Sequence, residues 1–252
     1  MFKILKLFPY VNYSLRRFFT SLTHNRSSGA KIISNFAAYN CVYMIKDIVF
    51  DFGGVLIEID TPAAIKKFAD LGLPRPHEFL NSYQQTGAFY LLENGDITAE
   101  EFIARLSSLC NRTITYDQAK DAWLGFIVKV QTELLEDIQT LRPQYRLSVL
   151  SNTNPFLQGW ARSKEFTQEG KSLDDYFDNL FLSYKMHCSK PSEDIYRKML
   201  VQGNMVAHET LFVDDSEKNI DAARRVGINT LLVKNGEDWR ATLREYLKQG
   251  QI

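Results

Sequence analysis

The sequence predicts an α/β protein with a three-layer core, in which helices cover both faces of a parallel sheet. A helical domain is inserted into the chain of that core. Short apolar strands alternate with helices in the second half of the chain, and one strand of the same kind precedes Asp51. Between these regions the strand signals disappear and helical signals replace them, over a stretch too long for an ordinary loop. We therefore expect the core at 44–60 and 142–252, and the helical insert at 61–141.

The first predicted strand ends on a carboxylate. Its β-branched and aromatic run, from Ile45 to Phe50, breaks at Asp51, and Gly53 and Gly54 follow at once. Aspartate is rare inside strands, so Asp51 is expected at the carboxyl edge of the sheet, where open α/β folds build their sites. The paired glycines would let the backbone fold closely around a ligand or ion.

Helix signals mark the insert from its first residues. Pro62 suits the first turn of a helix beginning at Thr61. Thr98 and Glu101 form a capping-box pattern, so another helix should begin there. That helix should place three apolar side chains on one face: Phe102, Leu106 and Leu109. Further helices are predicted over Pro76–Gln85, Tyr116–Val128 and Thr132–Leu141.

Two groups of residues in the insert have predicted structural roles. Its aromatic residues occur at mixed helical spacing and are expected to fill the core of a small bundle: Phe79, Tyr83, Phe89, Tyr90 and Trp123. The turn Glu93-Asn94-Gly95-Asp96 should lie at the surface, with Glu93 and Asp96 solvated.

The second half of the chain supplies the remaining strands, predicted over Tyr145–Leu150, Asn179–Ser183, Thr210–Val213 and Ile228–Val233. Pro191 should begin a helix over Ser192–Leu200, and Gly227 should end one over Asn219–Val226. Short crossovers through helices imply parallel strands. Polar groups that follow different strands should then meet at one sheet edge: Asp51, Ser151, Asp214 and Asp215.

Composition narrows the classes of function. The 252 residues are 45% hydrophobic, and the formal net charge of zero gives no electrostatic signal for nucleic-acid binding. No apolar run is long enough to span a bilayer. The three cysteines, Cys41, Cys110 and Cys188, are far apart and lack the spacing of a zinc site or redox pair. A reducing, cytoplasmic setting fits this usage.

The first 43 residues differ from the rest of the chain. They carry Lys3, Lys6, Arg16, Arg17, Arg26 and Lys31 and no acidic residue. A basic leader with aromatic residues can be a targeting segment or a membrane-surface arm. Because it has no clear apolar core with a cleavage site, and because Met44 directly precedes the first strand, we expect a non-structural extension.

Four stretches in order resemble the motifs of the haloacid dehalogenase superfamily. They are Asp-Phe-Gly-Gly-Val at 51–55, Ser-Asn-Thr-Asn at 151–154, Lys-Pro at 190–191, and Asp-Asp at 214–215 followed by Asn219. The resemblance covers roughly Met44 to Val233 and implies a Rossmann-like core with a helical cap that selects the substrate. The first, second and fourth stretches look most like the bacterial α-D-glucose-1-phosphate phosphatase group within this superfamily.

The resemblance implies a role for each matching residue. Asp51 would attack phosphorus and form an aspartyl-phosphate, while Lys190 offsets the developing charge. Ser151 and the Asn152 amide would bind phosphate oxygens. Mg²⁺ would be held by Asp51, a backbone carbonyl near Gly53 and Asp215, with Asp214 acting through water or holding Lys190. The implied substrate is a small phosphorylated metabolite, such as a sugar phosphate.

One position departs from the pattern. Many phosphatases of the superfamily carry a second aspartate two residues after the nucleophile as general acid and base, and this chain has Gly53 there. Sugar 1-phosphates have less basic leaving oxygens, so a weaker acid can suffice. We expect Asp60, or a residue of the cap, to replace the missing aspartate in part.

Two other functions stay open from the sequence. Dehalogenases of the superfamily also lack the second aspartate and need no metal, although the Asp214-Asp215 pair argues for phosphate chemistry. A catalytically weak protein that binds a phosphorylated metabolite is the third possibility. Sensitivity to EDTA separates the two enzymes, because a dehalogenase would stay active without metal whereas a Mg²⁺-dependent phosphatase would not. Binding of phosphate analogues without turnover would identify the binding protein.

Overall fold

The core of the protein is a five-stranded parallel sheet, in which the strands lie side by side in the order Asn179–Leu182, Arg146–Ser151, Asp47–Phe50, Thr210–Asp214 and Asn229–Leu232. The computed structural model describes residues 44–81 and 85–249, so the predicted extension at 1–43 and Cys41 lie outside the described residues. The strands are β1 (Asp47–Phe50), β4 (Arg146–Ser151), β5 (Asn179–Leu182), β6 (Thr210–Asp214) and β7 (Asn229–Leu232). The predicted parallel α/β core is confirmed, and each predicted strand agrees with the observed one to within one or two residues.

Alternate residues of the central strands enter two apolar layers. Ile48 and Phe50 of β1 belong to one buried cluster, and Val49 belongs to another on the opposite face. The helices that flank the sheet or link its strands are α5 (Thr132–Gln139), α6 (Pro155–Ala161), α7 (Leu173–Tyr176), α8 (Ser183–Met186), α9 (Glu193–Gln202), α10 (Glu217–Arg225) and α11 (Arg240–Gln249). A 3₁₀ turn at Ala207–Glu209 precedes β6. Burial of both sheet faces explains why the central strands are almost wholly apolar.

The insert contains α1 (Thr61–Asp70), α2 (Gly87–Asn94), α3 (Ala99–Leu109) and α4 (Tyr116–Leu124). Thr98 and Glu101 form the predicted capping box. Phe102 and Leu106 are buried as expected, but Leu109 is 39% exposed because α3 ends at that residue. The predicted helix over Pro76–Gln85 is wrong, since only a 3₁₀ turn at Pro76–Glu78 forms among its described residues.

The insert also contains a strand that the sequence did not predict. Residues Ile127–Val130 form β3, which pairs antiparallel with β2 (Ile57–Ile59), so the predicted helix over Tyr116–Val128 is too long. Gly125 ends α4, and the β-branched residues after it favour an extended backbone. The two-stranded ribbon thus joins the beginning and end of the insert to each other.

A third apolar cluster lies inside the insert. Its aromatic rings are in mutual contact, with centroids 4.9 Å apart for Phe68 and Phe89 and 5.0 Å apart for Phe89 and Phe102. Phe156 and Leu157 of α6 belong to the same cluster, although α6 follows a strand of the core sheet. The insert therefore packs on the core through shared apolar contacts. None of the described helices is long and apolar enough to cross a membrane.

Candidate active site

Two strand ends and one loop bring charged groups together at the carboxyl edge of the sheet. Asp51 follows the central strand β1, and Asp214 ends the neighbouring strand β6. The ammonium group of Lys190 lies between them, 2.7 Å from Asp51 Oδ1 and 2.8 Å from Asp214 Oδ2. Lys190 is only 2% exposed, so this cation and both carboxylates are shielded from water. Shielding makes their electrostatic interactions strong.

Asp214 is fixed by donors from α10 and the turn before it. Its Oδ1 accepts hydrogen bonds from the Ser216 backbone N–H at 2.8 Å and from Asn219 Nδ2 at 3.0 Å, and Asn219 also lies 3.1 Å from Oδ2. Lys190 is a further partner, so both oxygens of this carboxylate are bound by groups of the protein. Asp214 therefore positions Lys190, and it is not among the residues that line the cavity described below.

Asn152 holds the backbone of Lys190 in place. Its Nδ2 donates to the Lys190 carbonyl at 2.9 Å, and its Oδ1 accepts from the Lys190 N–H at 2.8 Å. This reciprocal pair of hydrogen bonds fixes the Lys190 backbone to the Asn152 side chain, a contact that the sequence does not predict. Ser151 ends β4, and its hydroxyl makes a 3.2 Å hydrogen bond to the Asn152 carbonyl.

Asp51, Asp214 and Asp215 form an acidic cluster that suits a divalent cation. One carboxylate oxygen from each lies within 4.8 Å of the others. Burial raises the pKa of Asp51, and Asp214 and Asp215 raise it further, against the lowering effect of Lys190. Burial and Asp214 likewise raise the pKa of Asp215 to about 6. A hard cation would relieve this repulsion, so the donor set fits Mg²⁺.

The two glycines after Asp51 have different surroundings. Gly54 has φ of +78°, and a Cβ there would overlap the Asp215 carboxylate, so only glycine lets Asp215 approach the backbone. A Cβ on Gly53 would meet only the side chain of Ile59, at 3.6 Å, which is ordinary contact. Gly53 lines the cavity described below.

A cavity of about 690 Å³, including space open to solvent, adjoins the acidic cluster. The core contributes Asp51, Gly53, Ser151, Asn152, Lys190 and Asp215 to its lining, and the insert contributes Gln85, Glu93, Trp123 and Phe126. The predicted site residues thus line one cavity, except Asp214, which lies behind Lys190. Trp123 belongs to the insert's apolar cluster as predicted, yet it also borders the cavity, and its buried Nε1 has no hydrogen-bond partner among the described residues.

Glu93 was predicted to be solvated, and that prediction is wrong. It is 7% exposed and lines the cavity, whereas Asp96 three residues later is exposed. Burial raises the pKa of Glu93 to about 8, against a lowering contribution from the Asn154 side chain. Local sequence gives no sign of this burial, because it comes from packing of the end of α2 against α8.

Asp60 has a structural role in this arrangement. Its Oδ1 accepts the Ala63 N–H at 3.1 Å and caps α1, and the residue is not among those lining the cavity. The expectation that Asp60 replaces the missing aspartate therefore loses its support. The alternative expectation is that a residue of the insert replaces the missing aspartate, and Glu93 is the candidate for that role.

Comparison with known proteins supports one family. Residues 48–233 match the model for haloacid dehalogenase-like hydrolases. The D-ribitol-5-phosphate phosphatase of Bacteroides thetaiotaomicron is 46% identical over 200 residues, which cover 79% of this chain and 97% of that protein.

Two solved structures are also similar. A predicted HAD-like hydrolase from Porphyromonas gingivalis is 40% identical with a TM-score of 0.78, and the match covers 81% of this chain and 98% of that one. A HAD-family enzyme from Bacteroides thetaiotaomicron, crystallised with magnesium and inorganic phosphate, is 33% identical with a TM-score of 0.73. That match covers 79% of this chain and all (100%) of the other.

Proposed function

Since this chain belongs to the haloacid dehalogenase-like hydrolase family, we propose that it is a Mg²⁺-dependent phosphatase acting on a small sugar or polyol phosphate through an aspartyl-phosphate on Asp51. The observation that carries the proposal is the Lys190 ammonium group held between Asp51 and Asp214, with Asp215 in the same cluster. This arrangement combines a nucleophile, a fixed cation and a cation-binding set at one end of a cavity.

Asp51 is the nucleophile in this proposal. Its Oδ1 is held by the Phe52 N–H at 2.7 Å and by Lys190 at the same distance, which leaves Oδ2 to attack phosphorus. Lys190 then balances negative charge on the carboxylate and on the transferring phosphoryl group. Ser151, which lines the cavity, and the backbone N–H of Asn152 are the donors for phosphate oxygens.

Asp51, Asp215 and the Gly53 carbonyl would hold Mg²⁺, with Asp214 acting through Lys190. When bound, the ion supplies positive charge that brings the dianionic substrate next to a carboxylate. The same charge favours the ionised form of Asp51, whose pKa is otherwise raised by burial and by its acidic neighbours.

Residues 61–141 serve as the cap that selects the substrate, and residues 44–60 and 142–252 serve as the catalytic core. The unpartnered Trp123 Nε1 supports a substrate with hydroxyl groups, because a buried donor at a cavity wall is best satisfied by an acceptor on the ligand. We propose a reducing, cytoplasmic location from the spacing of the cysteines in the sequence. Among the described residues, Cys110 and Cys188 are free thiols.

The proposal is tested by phosphate release from a panel of polyol, sugar, nucleotide and aryl phosphates, with Mg²⁺ or with EDTA. We expect release that requires Mg²⁺ and is fastest on a polyol or sugar phosphate. Asp51→Asn should lose roughly 10³-fold or more in kcat, because the covalent route is removed. Turnover of a 2-haloacid in EDTA would instead identify a dehalogenase, and binding of phosphate analogues without turnover would identify a binding protein.

A further inference from the structure

The leaving group of the substrate must extend into the part of the cavity lined by the insert. In an in-line displacement, the attacking and leaving oxygens lie on opposite sides of phosphorus. Asp51 approaches from the sheet edge, so the leaving oxygen points away from Asp51 toward residues of the insert. Glu93 is the only carboxylic side chain that the insert contributes to the lining of this cavity among the described residues.

Glu93 is positioned by contacts between the end of α2 and the two core segments that carry Asn152 and Lys190. Its carbonyl accepts the Ser183 hydroxyl at 2.6 Å, and the same oxygen of Ser183 accepts the Thr153 N–H at 2.9 Å. One buried hydroxyl therefore connects the backbone of Glu93 to the residue that follows Asn152. The next residue, Asn94, lies 3.3 Å from Ser189, which precedes Lys190. The end of α2 is thus attached beside the second and third motifs.

The close approach of α2 to α8 depends on Gly95. This residue ends α2 with φ of +77°, and a Cβ there would overlap the Tyr184 carbonyl oxygen. Such contact would be impossible for any other residue without moving the helix. Several independent contacts therefore keep Glu93 at the cavity.

We propose that Glu93 is the general acid and base of the reaction, in place of the carboxylate absent at Gly53; this inference rests on the proposed phosphatase function. In the first step Asp51 Oδ2 forms a bond to phosphorus, the ester P–O bond breaks with its electron pair on the leaving oxygen, and that oxygen takes the proton of Glu93. In the second step water attacks phosphorus and gives a proton to the Glu93 carboxylate, while the P–O bond to Asp51 breaks. Alcohol and phosphate leave, and both carboxyl groups return to their starting forms.

The surroundings of Glu93 support this role. Burial raises its pKa to about 8, so the side chain holds a proton at neutral pH and can donate it. The Asn154 side chain opposes the shift. The titratable or charged groups on the neighbouring elements are Glu100, Glu101 and Arg105 on α3, Tyr184 and Lys185 on α8, His187 after it, and Asp51, Lys190 and Asp215 in the part of the cavity lined by the core.

The test compares leaving groups in wild type and Glu93→Gln, which keeps the shape and neutrality of the protonated acid. An alkyl phosphate needs a proton on its leaving oxygen, whereas a nitrophenyl phosphate does not. We expect kcat/KM for alkyl phosphates to fall roughly 10²-fold or more, and for nitrophenyl phosphate by less than about fivefold. This constant reports the steps up to phosphoenzyme formation, so slow hydrolysis of the intermediate does not obscure the comparison.

Asp96→Asn is the matched control, since it removes an exposed carboxylate from the same turn, and we expect it to act like wild type on both substrates. Equal losses on alkyl and aryl phosphates in Glu93→Gln would indicate a structural or binding role and overturn the proposal. Unchanged kinetics would overturn it as well. Neither result would affect the phosphatase assignment, which depends on Mg²⁺ and Asp51.

Wild-type protein alone gives a second test that does not depend on folding of the variant. With an effective general acid, kcat/KM should depend weakly on the basicity of the leaving group across a series of phosphate esters. It should also decrease above about pH 8 for alkyl esters as Glu93 ionises, but not for nitrophenyl phosphate. A steep dependence on leaving-group basicity, or the same alkaline decrease for both ester classes, would contradict the proposal.

Discussion

At the scale of single residues, Gly53 and Gly54 show how differently two adjacent glycines are used. Position 54 requires glycine because of its positive φ and the proximity of Asp215, whereas position 53 has space for a side chain. The departure at position 53 is therefore a difference in chemistry and not a steric requirement. Glycine at position 53 leaves the cavity without a carboxyl group there, and it keeps the backbone carbonyl that we propose as a ligand of Mg²⁺.

Alanine at each glycine tests this difference. Gly53→Ala should keep the fold and bind Mg²⁺ nearly as wild type does. Gly54→Ala should weaken Mg²⁺ binding roughly tenfold or more, because Asp215 must move away from the new methyl group. Isothermal titration calorimetry with Mg²⁺ measures both effects. Equal losses in the two variants would show that the surroundings of Gly54 are not what positions Asp215.

The raised pKa of Asp215 predicts how the metal-free protein responds to pH. The folded state keeps the proton up to about pH 6, whereas the unfolded chain releases it near 3.8. Ionisation is thus less favourable in the folded state, so the stability contributed by this group is present below pH 3.8 and is lost as pH rises to about 6. The free energy of unfolding of wild type, relative to Asp215→Asn, should therefore decrease across this range in EDTA.

Urea unfolding of both proteins at several pH values measures that difference. Saturating Mg²⁺ should reduce or reverse it, because the ion binds the ionised carboxylate. The control variant is Asp70→Asn, which removes an exposed carboxylate that is ion-paired with Lys66 on α1, outside the acidic cluster. A difference between wild type and Asp215→Asn that does not vary with pH in EDTA would contradict the assignment of a raised pKa.

At the scale of elements, the short contact between α2 and α8 decides where Glu93 lies. Ala substitution at Gly95 adds a methyl group against the Tyr184 carbonyl, whereas Gly170 has nearly the same φ, +73° against +77°, and open space around it. Both variants carry a similar backbone cost of about 1–2 kcal/mol. Any additional effect in Gly95→Ala comes from displacement of α2.

We expect Gly95→Ala to be about 1–3 kcal/mol less stable than Gly170→Ala in urea unfolding, since overpacking at a close contact has that cost. Its kcat/KM should also fall for alkyl phosphates, while Gly170→Ala keeps wild-type activity. If the two variants behaved alike in both measurements, the close packing of α2 on α8 would not determine the position of Glu93.

Elements with a strong local signal were predictable from sequence. The strand ending at Asp51 and the capping box of Thr98 and Glu101 depend on hydrophobic pattern and side-chain hydrogen bonds, which are local. The strand Ile127–Val130 was missed because its pairing with Ile57–Ile59 joins residues about 70 positions apart. Antiparallel pairing between such distant residues gives no signal in the local sequence other than a few β-branched residues.

The same distinction applies to the site. Asp51, Lys190, Asp214 and Asp215 were predicted together because they follow strands or motifs whose order is readable in the sequence. Glu93 was not, since its burial depends on where α2 rests in the folded protein. The pattern of a helix-ending Asn-Gly turn predicts solvent exposure, and tertiary packing overrides that local preference.

At the scale of the whole molecule, the core and the insert divide the chemistry between them. In the proposed reaction, the sheet edge supplies the nucleophile, the carboxylates for Mg²⁺ and the donors for the phosphate, whereas the insert contributes Glu93 and Trp123 to the same cavity. Phe156 and Leu157 of the core pack into the apolar cluster of the insert, so the two parts share a continuous interior. Our proposals therefore place substrate selection and proton transfer in the insert, and phosphoryl transfer in the core.

The central claim is that Asp51 becomes covalently phosphorylated during turnover, and trapping that intermediate tests it most directly. The protein is mixed with Mg²⁺ and a polyol phosphate, quenched with acid within one turnover, digested and analysed by mass spectrometry. We predict a phosphate adduct on the peptide containing Asp51, absent when EDTA replaces Mg²⁺. Full turnover without an adduct on Asp51, or with undiminished rate in Asp51→Asn, would contradict the account.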